Sequence, residues 1–164
     1  MGKRSNFERV EKDFYETPFE GVIPLLPHIY HIKKFAEPCV GKGKLLNYLT
    51  TVTRYASWSS DSEIDARTYN YPVDNFNCFI TNPPWTREIL HPIIENLKRQ
   101  APTWLLFDAD WMHTKQSKEL IKYCQKIVSV GRLKWIPNSP SVGKDNCCWY
   151  LFRNRPVQTE FYGR

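Results

Sequence analysis

The chain has 164 residues, 41% hydrophobic and 24% charged, a length and composition that suit one globular domain over residues 1–164 with a sizeable core. Lys and Arg outnumber Asp and Glu by 23 to 17, so the surface should attract polyanions. No stretch approaches the ~18 apolar residues of a membrane span, and the opening MGKRSNFERVEKDF lacks the apolar run of a signal peptide, which together predict a soluble cytoplasmic protein with no membrane partner.

Residues 1–13 are polar and are expected to be loosely held. In TPFEGVIPLLPHIYH, Pro18 follows Thr17 as a first-turn residue and predicts a short amphipathic helix. Its apolar positions would be Phe19, Val22, Ile23 and Leu26, with interruptions at Pro24 and Pro27. His28 and His31 have the spacing of a one-turn metal pair, but no further ligand lies near, so no metal is expected. KKFAEPCVGKGKLLNYLTTV predicts a strand near Phe35, a turn carrying Gly41 and Gly43, and a helix with apolar positions Leu45, Leu46 and Leu49. RYASWSSDSEID reads as a second strand ending in acids. NCFITNPPW is a third strand with an abrupt, proline-stiffened exit, and PIIENLKRQA a helix with Pro92 at its start. TWLLFDAD predicts a buried strand, SKELIKYCQKI a helix, VSVGRLKWI a strand, PNSPSVGKDN a loop and CCWYLFR a last strand.

Strands alternating with helices predict an α/β fold with a mostly parallel sheet. Only a short loop separates the last two strands, with no crossover helix, so they should form an antiparallel hairpin. The five cysteines are odd in number, contain no C-x-x-C pair and lie mostly in apolar runs, as expected for reduced, buried thiols.

Ligands of open α/β sheets bind outside the carboxyl ends of the strands, where the segments carrying Gly41 and Gly43, Asp61, Asn82 and Asp108 should converge. The G-x-G turn lets backbone approach a ligand closely. Asp61 follows Gly43 by 18 residues, close to the ~20-residue spacing at which a carboxylate meets ribose hydroxyls, although Glu63 and Asp65 compete for that role. The third glycine of a dinucleotide fingerprint is absent, and Glu37 suits an ammonium better than a phosphate. Both point to a nucleoside-bearing cofactor without a pyrophosphate. At the rigid exit, the Asn82 side chain and the Pro83 carbonyl offer two acceptors for the hydrogens of an amino group, and Trp85 offers a face for a flat ring.

TNPPW resembles the (D/N/S)-P-P-(Y/F/W) motif of the amino-methyltransferases that modify adenine N6 or cytosine N4 with S-adenosylmethionine. EPCVGKGKLL is similar to their cofactor loop and DFYETP, residues 13–18, to their upstream cofactor motif. The chain order is that of the adenine-N6 enzymes carrying Asn, and the resemblance spans about residues 13–152. It implies a Rossmann-like class I S-adenosylmethionine-dependent methyltransferase fold and methyl transfer to adenine N6 in DNA. It also implies catalytic roles for Asn82, Pro83, Pro84 and Trp85. Cofactor contacts would come from Tyr15, Thr17, Pro18, Glu37, Pro38, Gly41, Gly43 and Asp61. Arg67 and Thr68 are no clean match for the acidic residue that in such enzymes contacts the cofactor's adenine.

The resemblance leaves no large target-recognition domain, as in small phage-encoded enzymes of this kind. PNSPSVGKDN, the basic N-terminal arm and RNRPVQTEFYGR would then meet the nucleic acid, with low or short sequence specificity unless a second copy or a partner supplies it. Cytosine N4, RNA adenine and protein glutamine are alternative targets with similar sites. A non-catalytic module that binds the cofactor or nucleic acid is another alternative, and Asp108 to Asp110 as a metal site a minor one.

Overall fold

The structure is a computed structural model that describes residues 15–53, 56–59 and 64–164. The expectations for residues 1–13 and for Asp61 and Glu63 lie outside the described residues. Strand β4, Thr103–Asp108, shows how the sequence sets the layers. Its side chains alternate between two faces, both covered, so nearly every position is apolar. Trp104 and Leu106 join one core, while Leu105 and Phe107 join the other. The same two-residue period divides β6, Asn146–Phe152: Cys147, Trp149 and Leu151 lie on the first side, Cys148, Tyr150 and Phe152 on the second.

The remaining strands are β1 Lys34–Glu37, β2 Ala56–Ser59, β3 Cys78–Thr81, β5 Cys124–Arg132 and β7 Glu160–Tyr162. Among the described residues they form one seven-stranded sheet in the order β2-β1-β3-β4-β6-β5-β7. Strands β2, β1, β3 and β4 run parallel, and β6 enters antiparallel between β4 and β5. The expected hairpin of β5 and β6 is present. Helices α1 Phe19–Val22, α2 Leu26–Ile29 and α3 Lys44–Thr53 contribute to the core that holds Trp149. Helix α4, Arg87–Gln100, and the short α5, Lys118–Ile121, contribute to the core that holds Tyr150. On that side Phe107 and Tyr150 stack with ring centres 4.2 Å apart.

Several expectations need correction. A 3-10 turn at Ile23–Leu25, with Pro24 inside it, joins α1 to α2. Its tighter winding turns Leu25 and Ile29 inward beside Val22 and leaves Phe19 and Ile23 exposed. Helix α4 begins at Arg87, because Ile89 and Leu90 both donate backbone bonds to Thr86 O directly after the proline motif. Pro92 is therefore inside the helix, at an exposed position, not at its start. The expected helix to Ile127 ends at Ile121. Leu120, Cys124 and Ile127 have helix-like spacing and share one core, but Cys124 onward pairs with β6. The final segment is also ordered into the sheet, since β7 runs parallel to β5 and Thr159 Oγ1 donates to Cys124 O at 2.7 Å.

Candidate active site

A cavity of about 490 Å³ opens at the carboxyl ends of β1 and β3. Of the residues predicted for the site, Tyr15, Thr17, Glu37, Pro38, Gly41, Asn82 and Pro84 line it. Pro18, Gly43, Pro83 and Trp85 do not line it, and Asp61 is outside the described residues. Asp65 does reach the cavity, with its carboxylate paired to Arg67 at 2.8 Å. Its segment is held by buried Asn96 on α4, whose Nδ2 donates to Ala66 O at 3.0 Å and Tyr69 O at 2.9 Å.

The turn after β1 is built as the glycines suggested. Gly41 and Gly43 have φ of +54° and +85°, a region that costs a residue with Cβ about 1–2 kcal/mol. A Cβ at Gly41 would lie 2.9 Å from Glu16 Oε1. Glu16 has no role in the sequence-based expectations, although it sits inside DFYETP. Its carboxylate accepts from Lys42 N at 2.6 Å and Lys44 N at 3.0 Å, at the N-terminus of α3, where negative charge is favoured. Glu37, at the end of β1, is only 1% exposed and faces the same cavity. Cys39 N donates to Thr81 Oγ1 at 3.2 Å, which ties the exit of β1 to that of β3.

Asn82 follows β3 directly and is held from three sides. Nδ2 donates to Tyr15 O at 3.1 Å and to Thr17 Oγ1 at 3.2 Å, and Oδ1 accepts from Trp85 Nε1 at 3.2 Å. A carbonyl can only accept and an indole N–H can only donate, so these neighbours fix which end of the amide is oxygen. Both Nδ2 protons are used, while Oδ1 keeps one lone pair. Trp85 Nε1 also donates to Leu106 O at 3.2 Å, which anchors the half-buried ring on β4. Trp135, expected from the sequence in a strand, lies in the loop after β5. It meets Trp85 edge to face at 5.5 Å and Tyr15 at 6.4 Å.

Asp108 does not line the cavity. Its carboxylate accepts from Asp110 N at 2.9 Å, capping the turn after β4, and burial pushes it above the usual carboxylate range. The five cysteines are free. Burial pushes the thiols of Cys78, Cys124 and Cys147 up to about 12, far from the reactive thiolate range. His28 packs on Trp104 and Tyr162, and His31 on Tyr30. Among the described residues no three His, Cys, Asp or Glu are grouped to hold a metal ion.

No protein-family model matches the sequence, and no curated protein matches it. The fold does match solved structures. A candidate RNA methyltransferase from Pyrococcus horikoshii is similar at TM-score 0.53 and 16% identity, over 88% of each chain. A dimethyladenosine transferase from Plasmodium falciparum gives 0.47 and 14%, over 84% of this chain and 62% of the other. A protein-(glutamine-N5) methyltransferase from Alicyclobacillus acidocaldarius gives 0.44 and 14%, over 90% and 99%. The first likeness shows that the chain adopts the expected Rossmann-like methyltransferase fold.

Proposed function

We propose that this chain transfers a methyl group from S-adenosylmethionine to the exocyclic N6 amine of adenine in DNA. The observation that carries the reading is the orientation of Asn82. Both of its Nδ2 protons are engaged, so it presents an acceptor to whatever binds beside it, and the partner of an acceptor is an N–H or O–H donor. An exocyclic amine can give one hydrogen to Asn82 Oδ1 and the other to the Pro83 carbonyl. Both bonds draw the nitrogen lone pair out of conjugation with the ring, and they strengthen as the nitrogen gains positive charge. The nitrogen so held would be free to take a methyl group from the cofactor's sulfonium, with the carbon–sulfur bond broken and the surplus proton released to water. Pro84 stiffens the exit, and Trp85 offers an aromatic surface for an unstacked base.

The cofactor assignment is supported by the cavity itself, whose volume falls within the range of small-molecule sites, about 300–1,000 Å³. When bound, S-adenosylmethionine supplies an electrophilic methyl sulfonium. Buried Glu37 suits its ammonium, and Gly41 and Gly43 let the turn approach it. Tyr15 and, outside the lining, Pro18 are assigned to its methionine end, Pro38 to the cavity lining and Asp61 to the ribose.

DNA as substrate rests on the positive surface and the NPPW resemblance. The chain is proposed to read little sequence, because its exposed basic side chains, Arg132, Lys134, Lys144 and Arg155 among them, suit phosphates. Mass spectrometry of nucleosides from DNA and RNA of cells expressing the protein tests the reading. N6-methyldeoxyadenosine is expected. N4-methyldeoxycytidine, a modified ribonucleoside alone, or no modified base would overturn it.

A further inference from the structure

We propose that Thr17 is a positioning residue for the reaction, acting through the amide of Asn82 and not through the cofactor. The inference rests on the reading of Asn82 as the acceptor of a target amine.

An Asn amide turned by 180° about its last bond has nearly the same shape with its donor and acceptor exchanged, so only hydrogen bonds choose between the two states. In the observed state Nδ2 meets Tyr15 O and Thr17 Oγ1 while Oδ1 meets the indole of Trp85. The turned state would aim N–H groups at Trp85 and at the target amine, placing donor against donor, and no methyl transfer could begin. Tyr15 O, which only accepts, and Trp85 Nε1, which only donates, select the state. The Thr17 hydroxyl holds the second Nδ2 proton and so fixes the plane of the amide, and at 2% exposed Thr17 does this with little competition from water. It is also fixed from its neighbour. Glu16 binds the amides of Lys42 and Lys44, so residues 15–17 form a strap with one anchor on the glycine turn and two on the catalytic amide.

Thr17→Val keeps the shape and removes the hydroxyl, and Thr17→Ser keeps the hydroxyl. With folding checked by thermal unfolding, kcat for methyl transfer to DNA should fall about 10- to 100-fold in Thr17→Val, the scale of a misplaced reacting group. KM for S-adenosylmethionine and for DNA should stay near the wild-type values, and Thr17→Ser should restore most of kcat. Thr17→Ala carries the same expectation as Thr17→Val if the latter does not fold. A rise in KM for S-adenosylmethionine with kcat intact would return Thr17 to the cofactor. Equal defects in the valine and serine variants would show that shape alone matters, and either result overturns the proposal. A wild type that transfers no methyl to adenine refutes the functional reading instead. The positioning role is then judged by NMR hydrogen exchange of the Asn82 side-chain amide, assigned by its disappearance in Asn82→Ala. Exchange should be slow in the wild type and in Thr17→Ser, and about fivefold faster in Thr17→Val. Equal rates in all three, or wild-type exchange as fast as that of a free Asn, would overturn it.

Discussion

Asn82→Asp exchanges one donor group for an acceptor with almost no change of shape, and the surroundings of Asn82 make that exchange costly. The two bonds from Nδ2, at 3.1 Å to Tyr15 O and 3.2 Å to Thr17 Oγ1, contribute about 1 kcal/mol each. An ionised aspartate loses both. The threonine hydroxyl can turn and donate, recovering one, but the Tyr15 carbonyl cannot. A half-buried charged oxygen is left facing another acceptor, a penalty of about 1–3 kcal/mol. The net loss comes to about 2–4 kcal/mol, or a fall in Tm of about 5–15 °C for a chain of this length. Protonation supplies the missing donor to Tyr15 O, so the folded state should raise the pKa of the introduced carboxyl above its unfolded value. A raised folded pKa means that the deficit is complete above that pKa and shrinks as pH falls towards the unfolded value. Urea unfolding of wild type and variant across a pH series measures the difference directly. A deficit that is absent, constant with pH, or larger in acid would refute the assigned amide orientation.

Gly41→Val should abolish binding of S-adenosylhomocysteine by calorimetry in a folded protein, because a branched side chain at φ +54° would also drive Glu16 from the turn. Asp61→Ala should weaken the same binding by about 1–3 kcal/mol if it removes a charged hydrogen bond to ribose. Asp65→Ala should cost less, since Asp65 is already paired with Arg67, and the opposite order would move the ribose role to Asp65. Trp85→Phe keeps a stacking ring but removes the N–H shared by Asn82 Oδ1 and Leu106 O, so kcat should fall by more than DNA affinity. DNA binding followed by fluorescence anisotropy should weaken steeply with salt, and Arg155→Gln should weaken all sequences alike. Arg153→Gln should do less, because that half-buried guanidinium donates to Gln125 Oε1 at 2.6 Å; a larger effect than Arg155→Gln would reverse the assignment.

The parts of the fold that local chemistry dictates were legible. Phe35 and Ala36, Phe79 and Ile80, and the run from Trp104 to Phe107 are apolar on both faces of a parallel sheet, and glycines or prolines mark the exits of β1 and β3. Elements that exist only through distant partners were not. Nothing in VQTEFYGR marks a strand by itself; β7 forms because Val157 N reaches Lys122 O and Glu160 to Tyr162 find the free edge of β5. The start of β5 was masked by an apolar spacing that fits a helix as well, and pairing with β6 decided it. Within the site, Asn82 and the glycines were visible as residue types suited to a specific chemical role. Glu16 was not, because its partners are backbone amides 26 and 28 residues away, and backbone amides leave no mark in a sequence.

Glu16 also gives an independent reason for a conclusion drawn from the glycine pattern. The missing third glycine argued against a pyrophosphate, but it is a negative signal and a weak one. In the structure, the N–H groups of Lys42 and Lys44 are taken by a carboxylate from the same chain. Those groups, at the N-terminus of α3, are the donors an approaching phosphate would use. A dinucleotide would have to displace Glu16 and then hold its own negative charge in a cavity that Glu37 also lines. A cationic cofactor meets no such opposition, because it leaves the carboxylate on the helix terminus and finds the second one facing it. The turn that in dinucleotide-binding folds grips an anion is here satisfied internally, and the same strap that satisfies it carries Tyr15 and Thr17 to Asn82. On the proposed reading, three consecutive residues, Tyr15 to Thr17, therefore bear on both cofactor preference and the orientation of the Asn82 amide.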